Sequence, residues 1–191
     1  MNKNAFPKII RDPDLKRVIK SITVDRRFIY DLLLKNNIDE KLISQTTIYL
    51  SAEKVTQGIE IIEGTYSIKN KSITCYIGTQ INSYKNWFNA IKDTDSIKKQ
   101  KDVHEWVLSK FISGTLIHEL KHYIEDATNH SKYSSEIKKF LDKAAKASVD
   151  LRSTDTWKKM PWEIRAEKFS DREIAKAEKN EHFPITIKLK T

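Results

Sequence analysis

DVHEWVLSKFISGTLIHELKHYIEDA, residues 102–127, is the longest stretch of the chain that keeps one period throughout. Leu108, Ile112, Leu116 and Leu120 recur every four residues, and the apolar row continues through Tyr123, Ile124 and Ala127. A helix advances about 100° per residue, so this row predicts a helix over about 103–127 with a buried ridge. Asp102, followed three residues later by Glu105, has the form of a capping box at its start. Within the helix lies HELKH, residues 118–122. Positions four apart share one face, so His118 and His122 can aim imidazole nitrogens at a single ion, roughly 2.0–2.1 Å away for zinc. Glu119 stands beside them, placed to reach a water rather than the ion, the position of a general base in zinc-dependent hydrolysis.

Upstream, GIEIIEGTYSIKNKSITCYIG (58–78) alternates at Tyr66 and Ile68 and again at Ile73, Cys75 and Ile77, on either side of the polar turn Lys69-Asn70-Lys71. That is a β-hairpin pattern bounded by Gly64 and Gly78. Leu42–Leu50 reads as a strand, and Asp12–Asn37, with apolar residues mostly three and four apart, as one or two helices broken near Thr23. Residues 79–102 read as loop or short helix. Downstream, Asn129–Ser135 reads as polar loop, Glu136–Leu151 as an amphipathic helix, and Trp162–Lys179 as a last helix behind Pro161. These elements predict an α+β fold: a small antiparallel or mixed sheet with a hairpin, the long HExxH helix, and a C-terminal helix. The 191 residues are expected to form one domain, with 1–57 an N-terminal part, 58–180 the core and 181–191 a tail.

A hydrolytic site needs a third protein ligand and an open fourth position. Three residues are candidates. His130 follows HELKH in polar sequence, but Glu125 and Thr128 stand where HExxHxxGxxH would require Gly and His. Cys75 lies in an alternating strand. Glu163 opens the last helix in PWEIRAEKFSD (161–171), with Glu167 four residues on, so that one carboxylate could ligate metal while the other orients a histidine. For the oxyanion of an acyl-transfer step, Tyr133 and His130 are the candidate donors beside the metal.

HELKH followed by a later P-x-E-x-x-A-E resembles the gluzincin zinc metallopeptidases, and in particular the small minigluzincins and HExxH proteins of plasmids and phages. The resemblance implies Zn2+, one per chain, held by His118, His122 and Glu163, with Glu119 catalytic and Glu167 behind a histidine. It also implies a peptide or protein substrate paired along the second hairpin strand, about Ser72–Thr79, which makes Thr74, Tyr76 and Gly78 the substrate-binding residues. The separation of Cys75 from HELKH is similar to that in peptide deformylases, which leaves a deformylase-like metallohydrolase using Cys75 as an alternative.

The chain carries a net charge of +9, distributed as +4, +2, 0 and +3 over residues 1–50, 51–100, 101–150 and 151–191. Phosphate binding needs clustered Lys and Arg, so this spread favours a solvated basic surface over a nucleic-acid face. A nucleic-acid-associated HExxH regulatory protein, of the kind that SprT-like proteins suggest, stays open as the second reading. Four Gly and four Pro exclude a collagenous or low-complexity chain. No run of about 18 apolar residues could span a membrane, charges occupy the place of a signal peptide's apolar stretch, and a single cysteine suits a reducing compartment. A cytoplasmic location is the expectation. In the tail, Ile185, Ile187 and Leu189 alternate with polar residues, predicting a strand that adds to a sheet permanently or occupies the substrate groove.

Overall fold

The computed structural model describes residues 5–57, 60–90, 101–147, 156 and 159–190. In chain order the elements are β1 (Lys8–Arg11), α1 (Leu15–Val18), β2 (Ile19–Val24), α2 (Arg26–Lys35), α3 (Glu40–Gln45) and β3 (Thr47–Ser51). Then come β4 (Thr56–Gln57), β5 (Glu60–Ile61), β6 (Gly64–Ser67), β7 (Ser72–Tyr76) and α4 (Ile77–Ala90). The C-terminal part comprises α5 (Lys101–Thr128), α6 (His130–Lys146), α7 (Pro161–Lys179) and β8 (Ile185–Leu189). The fold is α+β, as the sequence pattern indicated.

A four-stranded mixed sheet has the order β1-β3-β7-β6. β1 and β7 flank β3 in parallel, and β6 returns antiparallel to β7 as the expected hairpin. Register follows burial: Ile48 lies opposite Ile73 and Leu50 opposite Cys75, all four at or below 1% exposure, so the period-2 pattern turns one face inward. Against that face runs α5, whose Leu108, Ile112, Leu116 and Leu120 are buried as predicted. α7 packs along α5, and Leu15, Ile29 and Leu33 from the N-terminal part join the same core.

The N-terminal stretch read as helical contains a strand. Its apolar residues at 15, 18, 19 and 22 imitate a helix, but Ile22 pairs with Ile187 of β8, far along the chain. The tail is therefore a built-in strand, the first of its two predicted placements, although it joins β2 in a separate two-stranded sheet. Its other edge is closed by α5: Ile185 N–H donates to Ser113 Oγ, Ile187 N–H to Ser109 Oγ (3.1 Å each) and Leu189 N–H to Glu105 Oε1 (2.8 Å). Glu105, read as half of a capping box, serves this strand instead.

Residues 42–45 belong to α3 rather than to the strand that follows, with Asp39 as its cap accepting from Lys41 N–H. Asn129 caps α6 by accepting from Lys132 N–H, so helix replaces the loop expected at 130–135. Likewise α4 occupies 77–90, and Gly78 lies in its first turn instead of ending a strand. Residues 91–100 of the predicted loop, 148–151 of the predicted amphipathic helix and Thr191 of the tail lie outside the described residues. Among the described residues no helix is long and apolar enough to cross a membrane.

Candidate metal centre

His118 and His122 project from one face of α5, their Nε2 atoms 3.1 Å apart. Glu163 comes from the first turn of α7, where Pro161 sets the start of the helix without losing a needed N–H. Its Oε2 lies 3.0 Å from His118 Nε2 and 3.4 Å from His122 Nε2. Three donors on a tetrahedral ion with bonds of roughly 2.0–2.1 Å stand about 3.3 Å from one another. The observed triangle has those edges. These three side chains form a group that could hold a metal ion.

Proton bookkeeping points the same way. His122 Nδ1 lies 3.2 Å from the Tyr133 hydroxyl; a proton on Nδ1 donated there leaves Nε2 with its lone pair. The Nε2 atoms of both rings and a carboxylate oxygen converge on one point, where a cation would satisfy all three. Burial alone would raise the Glu163 carboxyl, but the hydrogen bonds and charges of the two histidines outweigh it and hold it at about 2. For His118, burial works against protonation, yet Glu163, Glu119 and Glu167 raise it above its ordinary value.

Glu119 is buried beside this triangle, and among the described residues its carboxylate takes no hydrogen bond. Burial lifts its carboxyl above the usual range, partly offset by His122 and His118. Gly64, at the start of β6, is packed against it: a Cβ there would stand 3.1 Å from Glu119 Oε1 and 2.6 Å from the Thr115 methyl. Only glycine lets the strand come this close.

Other predicted residues fall in different places. Glu167 Oε2 is 3.5 Å from His118 Nδ1, on the expected side of that ring, but its side chain is 70% exposed. Tyr133 is buried in α6 with its hydroxyl against His122 Nδ1, on the side of the ring away from Glu163, so it braces that ring instead of standing where an oxyanion donor was expected. His130 Nδ1 hydrogen-bonds Asp126 at 2.5 Å and is likewise turned to that carboxylate. Cys75 is fully buried between Leu50 and Gly64 with its thiol pushed up by burial, and it is absent from the metal-holding group. A buried neutral thiol here is a core residue.

The strand carrying Thr74 and Tyr76 is not a free edge. β7 is paired with β3 on one side and β6 on the other, so its backbone has no hydrogen bonds to offer a substrate. Gly78 is buried against residue 52, where a Cβ would stand 1.9 Å from the Ala52 carbonyl oxygen; its role is packing. Among the described residues, the strand with an unpaired edge next to α5 is β6.

Sequence reasoning also missed how the site is braced. Arg165 bridges two helices, with its Nε and Nη2 2.8 and 2.7 Å from Glu125 of α5, and its Nη1 and Nη2 3.0 and 2.6 Å from Glu136 of α6. Asp126, buried four residues past His122, accepts from Tyr66 of β6 and Lys71 of the hairpin turn, pinning that hairpin to the helix. The carboxylates in these positions gave the signal, but their partners come from distant sequence. Protein-family models, curated proteins and solved structures yield no match to this chain.

Proposed function

We propose that this chain is a zinc-dependent peptidase, and that Glu119 is its general base. The observation that carries the reading is the donor triangle of His118, His122 and Glu163 at ligand spacing, with an unpartnered buried carboxylate beside it. Two imidazoles and one carboxylate with an open fourth position suit zinc. Bound there, zinc would supply a Lewis acid that polarises a scissile carbonyl and lowers the pKa of a water it holds toward about 7.

The chain's own residues supply the rest. Glu119, raised in proton affinity by burial, takes the proton of the attacking water and delivers it to the leaving amine. The edge of β6, unpaired among the described residues, offers main-chain N–H and C=O groups to an extended peptide, and Gly64 packs that strand against Glu119. Tyr133 and Glu167 hold the histidine rings from behind.

Metal analysis of protein purified without added metal should find about one zinc per chain. Glu119→Gln should keep that metal and lose cleavage of an unfolded protein substrate by about 10²–10⁴-fold, since an amide cannot accept the proton. A variant that still hydrolyses would remove Glu119 from the mechanism.

A further inference from the structure

Three elements meet at the metal centre: α5 with the two histidines, α7 with Glu163, and α6 with Tyr133 against His122. Their apolar packing is divided. Tyr133, Met160 and Trp162 form a small buried cluster apart from the main core, with Phe140 edge-on to Trp162. The starts of α6 and α7 thus pack on each other outside the main core, and Arg165 ties both helices to α5.

The positions it joins all neighbour the site. Arg165 lies two residues after Glu163, Glu125 three after His122, and Glu136 three after Tyr133. The guanidinium donates to both oxygens of Glu125 (2.8 and 2.7 Å) and to both oxygens of Glu136 (3.0 and 2.6 Å). A bidentate fork sets orientation as well as distance. Lys121 also reaches Glu125 (3.1 Å), but it belongs to α5 and joins no second element through that contact. A contrast stands further along the same helix pair. Lys110 donates to both oxygens of Glu178 (2.9 and 2.8 Å) and so ties α5 to α7, at side-chain exposures of 36 and 38% against 41% for Arg165. It lies eight residues before His118, and Glu178 fifteen after Glu163.

We propose that Arg165 is a positioning residue of the metal centre: its two forks hold α5, α6 and α7 so that His118, His122 and Glu163 stand at ligand spacing before an ion arrives. This rests on the metal centre of the reading above and not on hydrolysis. Lysine cannot take the place of Arg165, since one ammonium offers no planar fork to either carboxylate. A bridge that only stabilised the fold would act on metal binding through the unfolded fraction, and would leave the affinity of the folded apo protein unchanged. A bridge that presets the ligands raises that affinity itself.

The test is the zinc affinity of the full-length apo protein at pH 7, read by competition with a chromophoric chelator where circular dichroism shows each variant folded. Arg165→Met should weaken zinc by about 10–100-fold, and Arg165→Lys should weaken it in the same direction. Lys110→Met should leave it unchanged, although it too cuts a bridge between α5 and α7. Cobalt gives a second readout, because its visible absorption is strong in a tetrahedral site and fades when the coordination loosens. That absorption should fall in Arg165→Met and hold in Lys110→Met. If Arg165→Met does not fold, Arg165→Lys and Glu136→Gln, which loosens the α6 fork alone, take its place and should both weaken zinc. Unchanged affinity in the Arg165 variants, or equal losses in Arg165→Met and Lys110→Met, overturns the positioning role. A wild-type protein that binds zinc and cleaves no peptide refutes the peptidase reading, while the affinities still decide for or against Arg165. A wild-type protein that binds neither zinc nor cobalt removes the metal centre and this role with it.

Discussion

The two halves of α5 carry polar side chains at the same spacing and use them in opposite ways. In the first half Glu105, Ser109 and Ser113 each meet a backbone N–H of β8, so every polar atom that is buried finds a complementary one. In the second half His118 and His122 meet each other and Glu163 of α7, three groups whose ring nitrogens and carboxylate oxygen converge at the spacing of metal ligands. Burial is similar in both halves: Glu105, Ser109 and Ser113 are 4, 4 and 0% exposed, Glu119 and His122 are 7 and 6%, and Glu163, reaching in from α7, is 6%. Burial of polar groups therefore does not distinguish the two halves. What separates them is that side chains meet backbone N–H groups in one half, whereas in the other three potential metal donors converge on one point.

The sharpest way to break this contrast is to remove single groups from the second half and measure metal. His118→Ala, His122→Ala and Glu163→Ala should each abolish stoichiometric zinc binding, whereas Cys75→Ser should leave it intact. Tyr133→Phe, which takes away only the partner of His122 Nδ1, should weaken zinc by about 10–100-fold. If Cys75→Ser released zinc while Glu163→Ala retained it, the two halves would not differ in the way described.

Removal of groups from the first half should act on stability instead. Phe183, Ile185 and Ile187 are at most 5% exposed, and each buried apolar side chain is worth about 1.5–3 kcal/mol. Cutting the chain after Glu181 discards these and strips Ser109, Ser113 and β2 of their β8 partners, a loss comparable with a typical total stability of about 5–15 kcal/mol. The truncated protein should be insoluble or melt far lower. The milder Ile187→Ala should cost about 2–5 kcal/mol while zinc binding survives. Unchanged melting with faster peptide hydrolysis would instead make β8 an inhibitory segment.

The same contrast explains what could be read from the sequence. HELKH, the leucine ridge and the pairing of Pro161 with Glu163 are local patterns, since a helix relates residues three and four apart whatever surrounds it. Glu163 was thus recognisable, and the structure brings it to the two histidines. The alternation of Ile185, Ile187 and Leu189 was equally local and gave the strand, but not its partner, because β2 lies at the opposite end of the chain. Non-local pairing also decides which hairpin strand is free: β6 and β7 look alike in sequence, and only the parallel addition of β3 covers β7. Tyr133 had a usable signal. Asn129 is a good cap, and Tyr133, Ile137, Phe140 and Ala144 keep helical spacing, yet the polar residues between them gave the stretch the look of a loop.

The smallest effect lies at Glu105, where the first half of the helix holds the tail through a charge. Burial favours the neutral carboxyl, but hydrogen bonds from Lys188 Nζ and Leu189 N–H, with help from Lys101, outweigh it and hold the group below its ordinary 4.5. The unfolded chain therefore binds the proton more readily than the folded one at acid pH. The stabilisation from this contact is complete above the ordinary value and is lost as pH falls through the depressed one. Glu105→Gln keeps an oxygen to accept from Leu189 N–H but cannot answer the charge of Lys188. Melting of the apo protein, chosen so that zinc does not enter, should drop by a few degrees at pH 7 in this variant, the other titrating groups being common to both proteins. The difference from wild type should narrow on acidification toward pH 3, because the wild-type carboxylate is then neutralised as well. A difference that stays constant over that range would mean that Glu105 acts through shape alone. Zinc affinity at pH 7 should be the same in both proteins, since the contact lies more than three turns from His118. A parallel loss of zinc would show that the two halves of α5 are energetically one unit.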